Sequence, residues 1–317
     1  MQATWKPTIE FFENYIRSMR LYYGFVTLTA GWIGVALFPG SVSTERQFLI
    51  LAIMFIGWGV NQIVNDFTGR REDAVNAPNR PMVSGKLAPF PALVLSGAVI
   101  AAALVYSAFT APLSMVPIAA GVALNILYSL MKGYGFAGNI TFGATILCCF
   151  WYGYVASGGG LFDFYRCNAA VAIAVVVINI VMTTFTYFKD VAGDRAAGKR
   201  TIVVLLGPQK ASRVMLAASF LPLIIMVALI PLAVAPITYM IPVTFSGLLY
   251  IKSGFRFAKN FSGAAAYHQL GMVFAATAAS QAALVALAMP FTGTVLSFVS
   301  ALLVLVIFNK GYGHADE

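Results

Sequence analysis

The chain has 317 residues, 60% of them hydrophobic and only 10% charged, with a mean hydropathy of +0.84. A soluble domain carries about 25% charged residues, so this composition excludes one and predicts a polytopic membrane protein. The net charge of +9 raises nucleic acid as a partner, a reading that the placement of the bases removes below.

The first twenty residues form a polar, aromatic-rich amphipathic segment holding Glu10, Glu13, Arg17 and Arg20, which predicts no cleavable signal. Windows of about 20 apolar residues, the length needed to cross a bilayer, fall near 21–38, 48–66, 90–110, 114–131, 138–157, 168–188, 213–232, 235–252, 267–288 and 293–309. Short Gly/Pro punctuation separates them, as at Phe38-Pro39-Gly40 and Ala111-Pro112, and no soluble domain fits in any gap. Cys148 and Cys149 are adjacent inside one apolar run and Cys167 stands alone, which gives no disulfide framework.

Basic residues set orientation. With the N-terminus in the cytoplasm, all of the twenty Lys and Arg residues except Arg46 and Arg166 lie on the cytoplasmic side. The positive charge is then topology signal spread over loops, and no nucleic-acid partner is expected. No obligatory protein partner is evident either. A nine-span alternative would leave Lys310 outside, so the expected fold is an all-α transmembrane bundle of nine or ten spans.

Two polar islands interrupt this greasy chain. Asn65 to Leu87 packs three acids, four bases and three asparagines into 23 residues, and Lys189 to Arg200 is a shorter counterpart. They follow the second and sixth spans, so a four-span unit occurs twice in one orientation. This predicts a single domain, 1–317, with halves near 1–135 and 136–260, extra C-terminal spans over 261–310, and a site between the halves.

Residues four apart share a helix face, as do Asn65, Gly69 and Asp73 in one island and Asp190 and Asp194 in the other. With Asp66 and Glu72, five of the chain's eleven carboxylates gather at the ends of two spans. Mg²⁺ takes oxygen ligands, commonly one or two carboxylates plus substrate phosphates. Neighbouring bases, among them Arg70, Arg71, Arg80, Lys86, Arg195, Lys199 and Arg200, could neutralise a diphosphate. The bland alternative is a pair of solvated loops whose charges stop translocation. Against it stand the equivalent placement, the four-residue spacing and the turn chemistry of Asn76-Ala77-Pro78-Asn79-Arg80-Pro81, which predicts a fixed loop. Transporters more typically carry ionisable groups near mid-span.

Three motifs in register then resemble the UbiA superfamily of intramembrane prenyltransferases. The first is N-D-x-x-x-x-x-x-D followed by N-x-P-N-R-P-x-x-S-G, present as Asn65-Asp66, Asp73 and Asn76 through Gly85. The second is D-x-x-x-D-R-x-x-G, present as Asp190, Asp194-Arg195 and Gly198. The third is Y-x-x-x-K, present as Tyr128 and Lys132. The resemblance implies a helical bundle around a central lipid-accessible cavity, and an Mg²⁺-dependent enzyme, with two ions, acting on an isoprenoid diphosphate of C15 to C20. It implies metal ligands at Asn65, Asp66, Asp73, Asp190 and Asp194. It also implies diphosphate-binding bases at Arg80 and Lys132, with Arg20, Arg195 and Lys199 as further candidates, and a catalytic role for Tyr128 beside Lys132. An interfacial belt tyrosine is the plainer account of Tyr128.

One position departs from the prenyltransferase pattern. Gly69 stands where the family usually has a central carboxylate, giving N-x-x-x-G-x-x-x-D, the form that looks like the UbiA-type terpene cyclases. Ionisation followed by intramolecular cyclisation is therefore the first expectation. Transfer of the prenyl group to an aromatic or other lipophilic acceptor is the second, and a non-enzymatic lipid-phosphate binder or transporter the third. A cyclase needs aromatic faces to hold migrating positive charge, each worth about 0.5–2 kcal/mol. Phe142, Trp151, Tyr152, Phe185 and Tyr187 are the candidates, although packing explains most aromatics in such a chain.

Overall fold

The computed structural model describes residues 5–163, 166–233, 235–261 and 263–311. It is a helical bundle. In chain order the helices are α1 (Trp5–Met19), α2 (Gly24–Leu37), α3 (Thr44–Thr68), α4 (Arg70–Asn76), α5 (Pro89–Thr110) and α6 (Met115–Met131). There follow α7 (Ala137–Ala156), α8 (Arg166–Thr186), α9 (Val191–Ala196), α10 (Ile202–Leu206) and α11 (Pro208–Ala218). The chain closes with α12 (Leu221–Ala228), α13 (Ile230–Ala233), α14 (Met240–Lys259), α15 (Gly263–Val285) and α16 (Pro290–Gly311). Two short strands, β1 (Tyr134–Gly135) and β2 (Arg200–Thr201), are the sole sheet among the described residues.

Local chemistry explains the helix limits. Ser43 caps α3, its hydroxyl accepting from the Arg46 N–H at 3.3 Å, with Glu45 in the first turn. Proline opens α5, α11 and α16, where a missing N–H does no harm. Arg46 ties the far end of the bundle together, its guanidinium donating to the carbonyls of Ala156 at 2.8 Å and Thr110 at 3.2 Å.

Seven segments among the described residues are long and apolar enough to cross a bilayer, which makes this an integral multi-pass membrane protein. They include α3, α5, α7 and α16, as well as 112–131, 168–186 and 208–233. The expected spans at 21–38, 235–252 and 267–288 exist as the helices α2, α14 and α15, packed between the others. Their composition is less uniformly apolar or their length shorter, because they spend more surface on neighbouring helices than on lipid. The expected single span at 213–232 is broken into α11, α12 and α13, with Pro222 at the first break and Pro231 at the second.

The core is built on α15, whose alanines at 275, 276, 278, 279, 282 and 283 are all fully buried, the helix packing against α2, α8, α14 and α16. Small residues let helices approach closely, and that contact replaces the hydrophobic drive that lipid does not supply. The same device joins α2 to α7. A methyl group added at Gly153 would stand 2.0 Å from the Gly31 carbonyl oxygen, and one at Gly34 2.2 Å from that of Phe150.

Candidate active site

Both polar islands lie at one end of the bundle. The helix of α3 stops at Thr68, and Gly69 is the hinge between α3 and α4 (φ −90°, ψ 8°). Its N–H still donates to the Asn65 carbonyl at 2.8 Å, and the Asp73 N–H donates back to Gly69 at 2.9 Å. Helical register thus survives the bend, and Asn65 and Asp73 stay on one side. In the second island Asp190 precedes α9, and the Asp194 N–H donates to its carbonyl at 2.9 Å.

The loop between α4 and α5 is fixed, as its turn residues predict. Backbone N–H groups of Val83 and Ser84 donate to Arg80 at 3.0 and 2.8 Å, and Leu87 donates to Pro81 at 2.9 Å. Met82 and Leu87 are buried in an apolar cluster with Tyr15, Met19, Ile63 and Ala92. Two contacts hold the islands to each other. The Asn76 side chain accepts from the Gly193 N–H at 2.8 Å, and Gly193 has no room for a Cβ, which would sit 2.3 Å from that amide. Beside it β1 and β2 pair in parallel, Tyr134 with Arg200 and Gly135 with Thr201.

Five acids and five bases interlock across this junction. Arg20 donates to Asp66 at 2.5 Å and also to Gln62. Arg80 pairs with Asp73 and lies 3.6 Å from Asp66. Lys132 reaches Asp190 at 3.4 Å and Asp194 at 3.9 Å, Lys189 holds Asp190 at 2.5 Å, and Lys199 holds Glu72 at 2.9 Å. Asn65 donates to Asn125 at 3.4 Å and accepts from the Ser129 hydroxyl at 3.3 Å. Arg20 adopts a left-handed backbone (φ 49°, ψ 60°), the one positive φ outside glycine among the described residues. Such strain persists where surrounding contacts over-determine it, and here the double grip on Asp66 and Gln62 does so.

The electrostatics divide the second pair of acids. Burial alone would raise the Asp190 carboxyl, but the Lys189 and Lys132 ammoniums outweigh it and hold it below the usual carboxylate range. Asp194 has no such support. It is fully buried, neither oxygen accepts a hydrogen bond, and burial pushes its carboxyl up despite Lys132. Burial also lowers Lys189, while at Lys132 burial is outweighed by Asp190 together with Tyr128, Asp194 and Asp73, which raise it.

These residues fit a hard divalent cation. The Asp194 carboxylate and the second oxygen of Asp66 are buried and accept no hydrogen bond, and the Asn65 amide oxygen, which accepts from Ser129, is a further oxygen ligand. Among the described residues no three His, Cys, Asp or Glu side chains converge on one point. Mg²⁺ commonly keeps several waters and completes its shell with substrate phosphates.

Of the expected site residues, Asn65, Asp66, Asp73, Asp190, Asp194, Lys132, Arg20, Arg80 and Lys199 are brought together. Tyr128 joins them as an aromatic neighbour, its ring 5.4 Å from that of Phe142. Arg195 is exposed and pairs with no acid among the described residues, because α9 turns it to the outer face. Asn76, expected in the motif loop, and Asn125, a polar residue inside an apolar run, take part through the bonds given above, while Lys189, Gln62 and Ser129 take part without having been singled out. Lys189 reads in sequence as the ordinary charge that ends a span, and Gln62 lies inside an apolar run.

Beneath the mouth Tyr23 stacks on Trp58 with ring centroids 4.0 Å apart, and Phe142 meets both edge-on. Beyond them an apolar cavity of about 390 Å³ lies among α3, α5, α6 and α7, with Trp58, Asn61, Val122 and Tyr152 in its wall. Of Phe142, Trp151, Tyr152, Phe185 and Tyr187, Tyr152 lines it, as does Trp58. Phe142 stays in the neck, and Tyr187 stands by Lys132, whose ammonium lies 5.7 Å from its ring. Phe185 instead packs on Phe257 in the core, and Trp151 donates to the Leu161 carbonyl at 3.0 Å near the opposite end.

The model of the UbiA prenyltransferase family matches residues 25–275. The chain belongs to this family. Among curated relatives, the digeranylgeranylglyceryl phosphate synthase of Thermococcus kodakarensis is 28% identical over 243 residues, 71% of this chain and 83% of that protein. The synthase of the same name from Natronomonas pharaonis is 29% identical over 180 residues, 56% of this chain but only 64% of that protein. Among solved structures, a UbiA homologue from Aeropyrum pernix aligns over 82% of this chain and 96% of its own, with a TM-score of 0.71 at 17% identity. An Archaeoglobus fulgidus homologue bound to GPP and Mg²⁺ aligns over 86% and 99%, with a TM-score of 0.61 at 17% identity. These likenesses establish the fold of this family member.

Proposed function

We propose that this UbiA-family member is an Mg²⁺-dependent prenyltransferase that moves the prenyl group of an isoprenoid diphosphate to a lipophilic acceptor. The observation that carries the reading is the junction of the two islands, where Asp194, buried and accepting no hydrogen bond, lies 3.9 Å from the Lys132 ammonium that also reaches Asp190, and Asn76 of the first island holds Gly193 of the second. The relatives' shared name favours an acceptor that carries a glyceryl phosphate headgroup. We place the mouth and the N-terminus on the cytoplasmic side, following the distribution of basic residues.

In this reading Asn65, Asp66, Asp73, Asp190 and Asp194 hold the metal, which supplies charge neutralisation of the leaving diphosphate. Arg20, Arg80, Lys132, Lys189 and Lys199 give up part of their grip on the carboxylates and donate to phosphate oxygens. The allylic C–O bond breaks, and its electron pair leaves with the diphosphate. The acceptor's nucleophile then bonds to the allylic carbon and releases its proton. The apolar wall keeps water from that carbon, and the Tyr23, Trp58, Phe142 and Tyr128 rings offer their faces to the positive charge.

Cyclisation without an acceptor is the second reading, favoured by Gly69. A Cβ there would stand 3.7 Å from an Asp73 oxygen, so a carboxylate at this position would join Asp73 in the ligand set. Its absence leaves the ligand set of the terpene-cyclase form. Purified protein in detergent, incubated with C10, C15 and C20 diphosphates and Mg²⁺, separates the two. Adducts that require an added prenylglyceryl phosphate or aromatic acceptor establish transfer. A cyclic hydrocarbon or alcohol formed without acceptor overturns it.

A further inference from the structure

No Asp or Glu stands between Asp194 and Asp316, whereas Lys210, Arg213, Lys252, Arg256 and Lys259 all fall in that stretch. In the sequence they read as loop charges that set orientation. They stand on helices instead, Lys210 and Arg213 on α11 and the other three on α14. All five are exposed, and none pairs with an acid among the described residues. The bases of the mouth differ, since each of them holds a carboxylate.

The two helices lie side by side and antiparallel. A Cβ on Gly254 would run into Ser219 and Leu216, and one on Gly247 into Leu223. Arg213, one turn before Leu216, therefore comes level with the turn after Gly254, toward the Lys259 end of α14. That end lies beside the mouth, because Phe257 packs on Phe185 and Phe188, just ahead of Lys189 and Asp190, with ring centroids 4.8 and 5.4 Å apart. Lys252, Arg256 and Lys259, spaced four and three, share one face of α14. Leu248 and Phe255 on that face are 58% and 52% exposed, whereas Tyr250, Ser253 and Phe257 on the opposite face are buried. The order repeats next door, where Lys210 and Arg213 are followed by the exposed Leu221 and Ile224 of α12. The segment 208–233 is apolar enough to cross the bilayer, and Lys252 lies about 10 Å inside the end of α14. The bases thus meet lipid headgroups and the apolar residues meet acyl chains. Membrane topology asks only that bases lie on one side. It does not ask them to gather, without acids, on two packed helices above exposed apolar rows. A cation on a lipid-facing surface needs an anion, and these helices supply none.

We propose that the outer flank of α11 and α14 is a binding site for an anionic phospholipid of the surrounding bilayer. Arg213 and Lys259 approach the phosphate from two helices, with Lys252 and Arg256 beside them, and an acyl chain lies along Leu248 and Ile224. A guanidinium donates to two phosphate oxygens at once, which gives the site its preference for phosphate. A zwitterionic headgroup carries its own cation into this field and is repelled by it. The site faces lipid, outside the ion-pair network of the mouth, and does not depend on the reaction proposed there.

The test titrates the full chain, in neutral detergent, with phosphatidylglycerol, with phosphatidylcholine and with soluble glycerol phosphate. Binding is read by native mass spectrometry and by melting temperature. Phosphatidylglycerol should remain bound and raise the melting temperature, and the other two should do neither. A variant combining Arg213→Gln, Lys252→Gln and Lys259→Gln should weaken phosphatidylglycerol roughly tenfold or more. It should also lose the thermal shift while melting as the parent does without lipid. Should that variant fail to insert, a photoactivatable phosphatidylglycerol on the unaltered protein takes its place, and its label should map to α11, α12 and α14. A phosphatidylcholine shift equal to that of phosphatidylglycerol overturns the proposal, as does glycerol phosphate binding equally well, which would make this a site for free phosphate. Undiminished phosphatidylglycerol binding in the variant, or a label confined to other helices, also overturns it and leaves these bases as topology signal alone.

Discussion

Asp194 is the residue at which stability and function pull hardest against each other. Its carboxylate is buried without a hydrogen-bond donor, and such a group costs folding energy unless something compensates it. Asp194→Asn should therefore raise the melting temperature of metal-free protein while lowering turnover by about a hundredfold or more. A variant that melts lower and turns over normally would remove Asp194 from the site. The pH dependence has a definite sign. The folded carboxyl is raised above its unfolded value of about 3.9. Its contribution is thus complete below that pH and is lost as pH rises through the raised folded value. Thermal melts without metal should show this decline in the parent protein, and Asp194→Asn should remove it. Asp73→Ala and Asp190→Ala should each abolish turnover with the bundle's helical signal intact. At this scale the sequence exposes the acids well, because carboxylates are rare in so apolar a chain. It hides Gln62, whose partner Arg20 lies 42 residues away and is brought near only by the fold, and Lys189, whose part depends on its burial.

Short helices carry the alignment of the site. Between α4 and α9 the Asn76–Gly193 contact leaves no space for a methyl group. Gly193→Ala should separate the islands and lower kcat by at least tenfold, with little change in melting temperature, because the contact lies outside the apolar core. Within the bundle the opposite split is expected. Gly153→Ala forces α2 and α7 apart where their backbones touch and should cost about 1–3 kcal/mol, seen as a lower melting temperature in detergent. The long helices were legible because apolar runs of span length leave few alternatives, and so was the rigid loop after α4, from its Asn-Ala-Pro-Asn-Arg-Pro turns. The breaks within 208–233 were not, since Pro222 and Pro231 sit inside a continuous apolar run and hydropathy does not register a kink. Nor was the β1–β2 pairing, which two residues on each side cannot signal in advance.

For the whole molecule, membrane insertion, the helical bundle and the convergence of two distant islands follow from composition and motif spacing. The interior arrangement does not, because aromatic residues are common throughout and only packing separates Tyr152 in the cavity wall from Phe185 in the core. Chelation of divalent metal should abolish turnover, and added Mg²⁺ should restore it. The balanced set of five acids and five bases has a consequence for how ligands arrive. With every base engaged, a diphosphate alone must strip cations from buried carboxylates, and a metal ion alone must displace ammonium and guanidinium groups that then have no counter-ion. Either partner by itself leaves stranded charge in a low-dielectric setting, whereas the two together leave none. Metal and donor should behave as mutual effectors, each tightening the other's Kd by the same factor, as linkage requires. The ground state of the site is then a closed circuit of ion pairs that discriminates against free pyrophosphate-poor metal and metal-free lipid alike, and opens only to their complex.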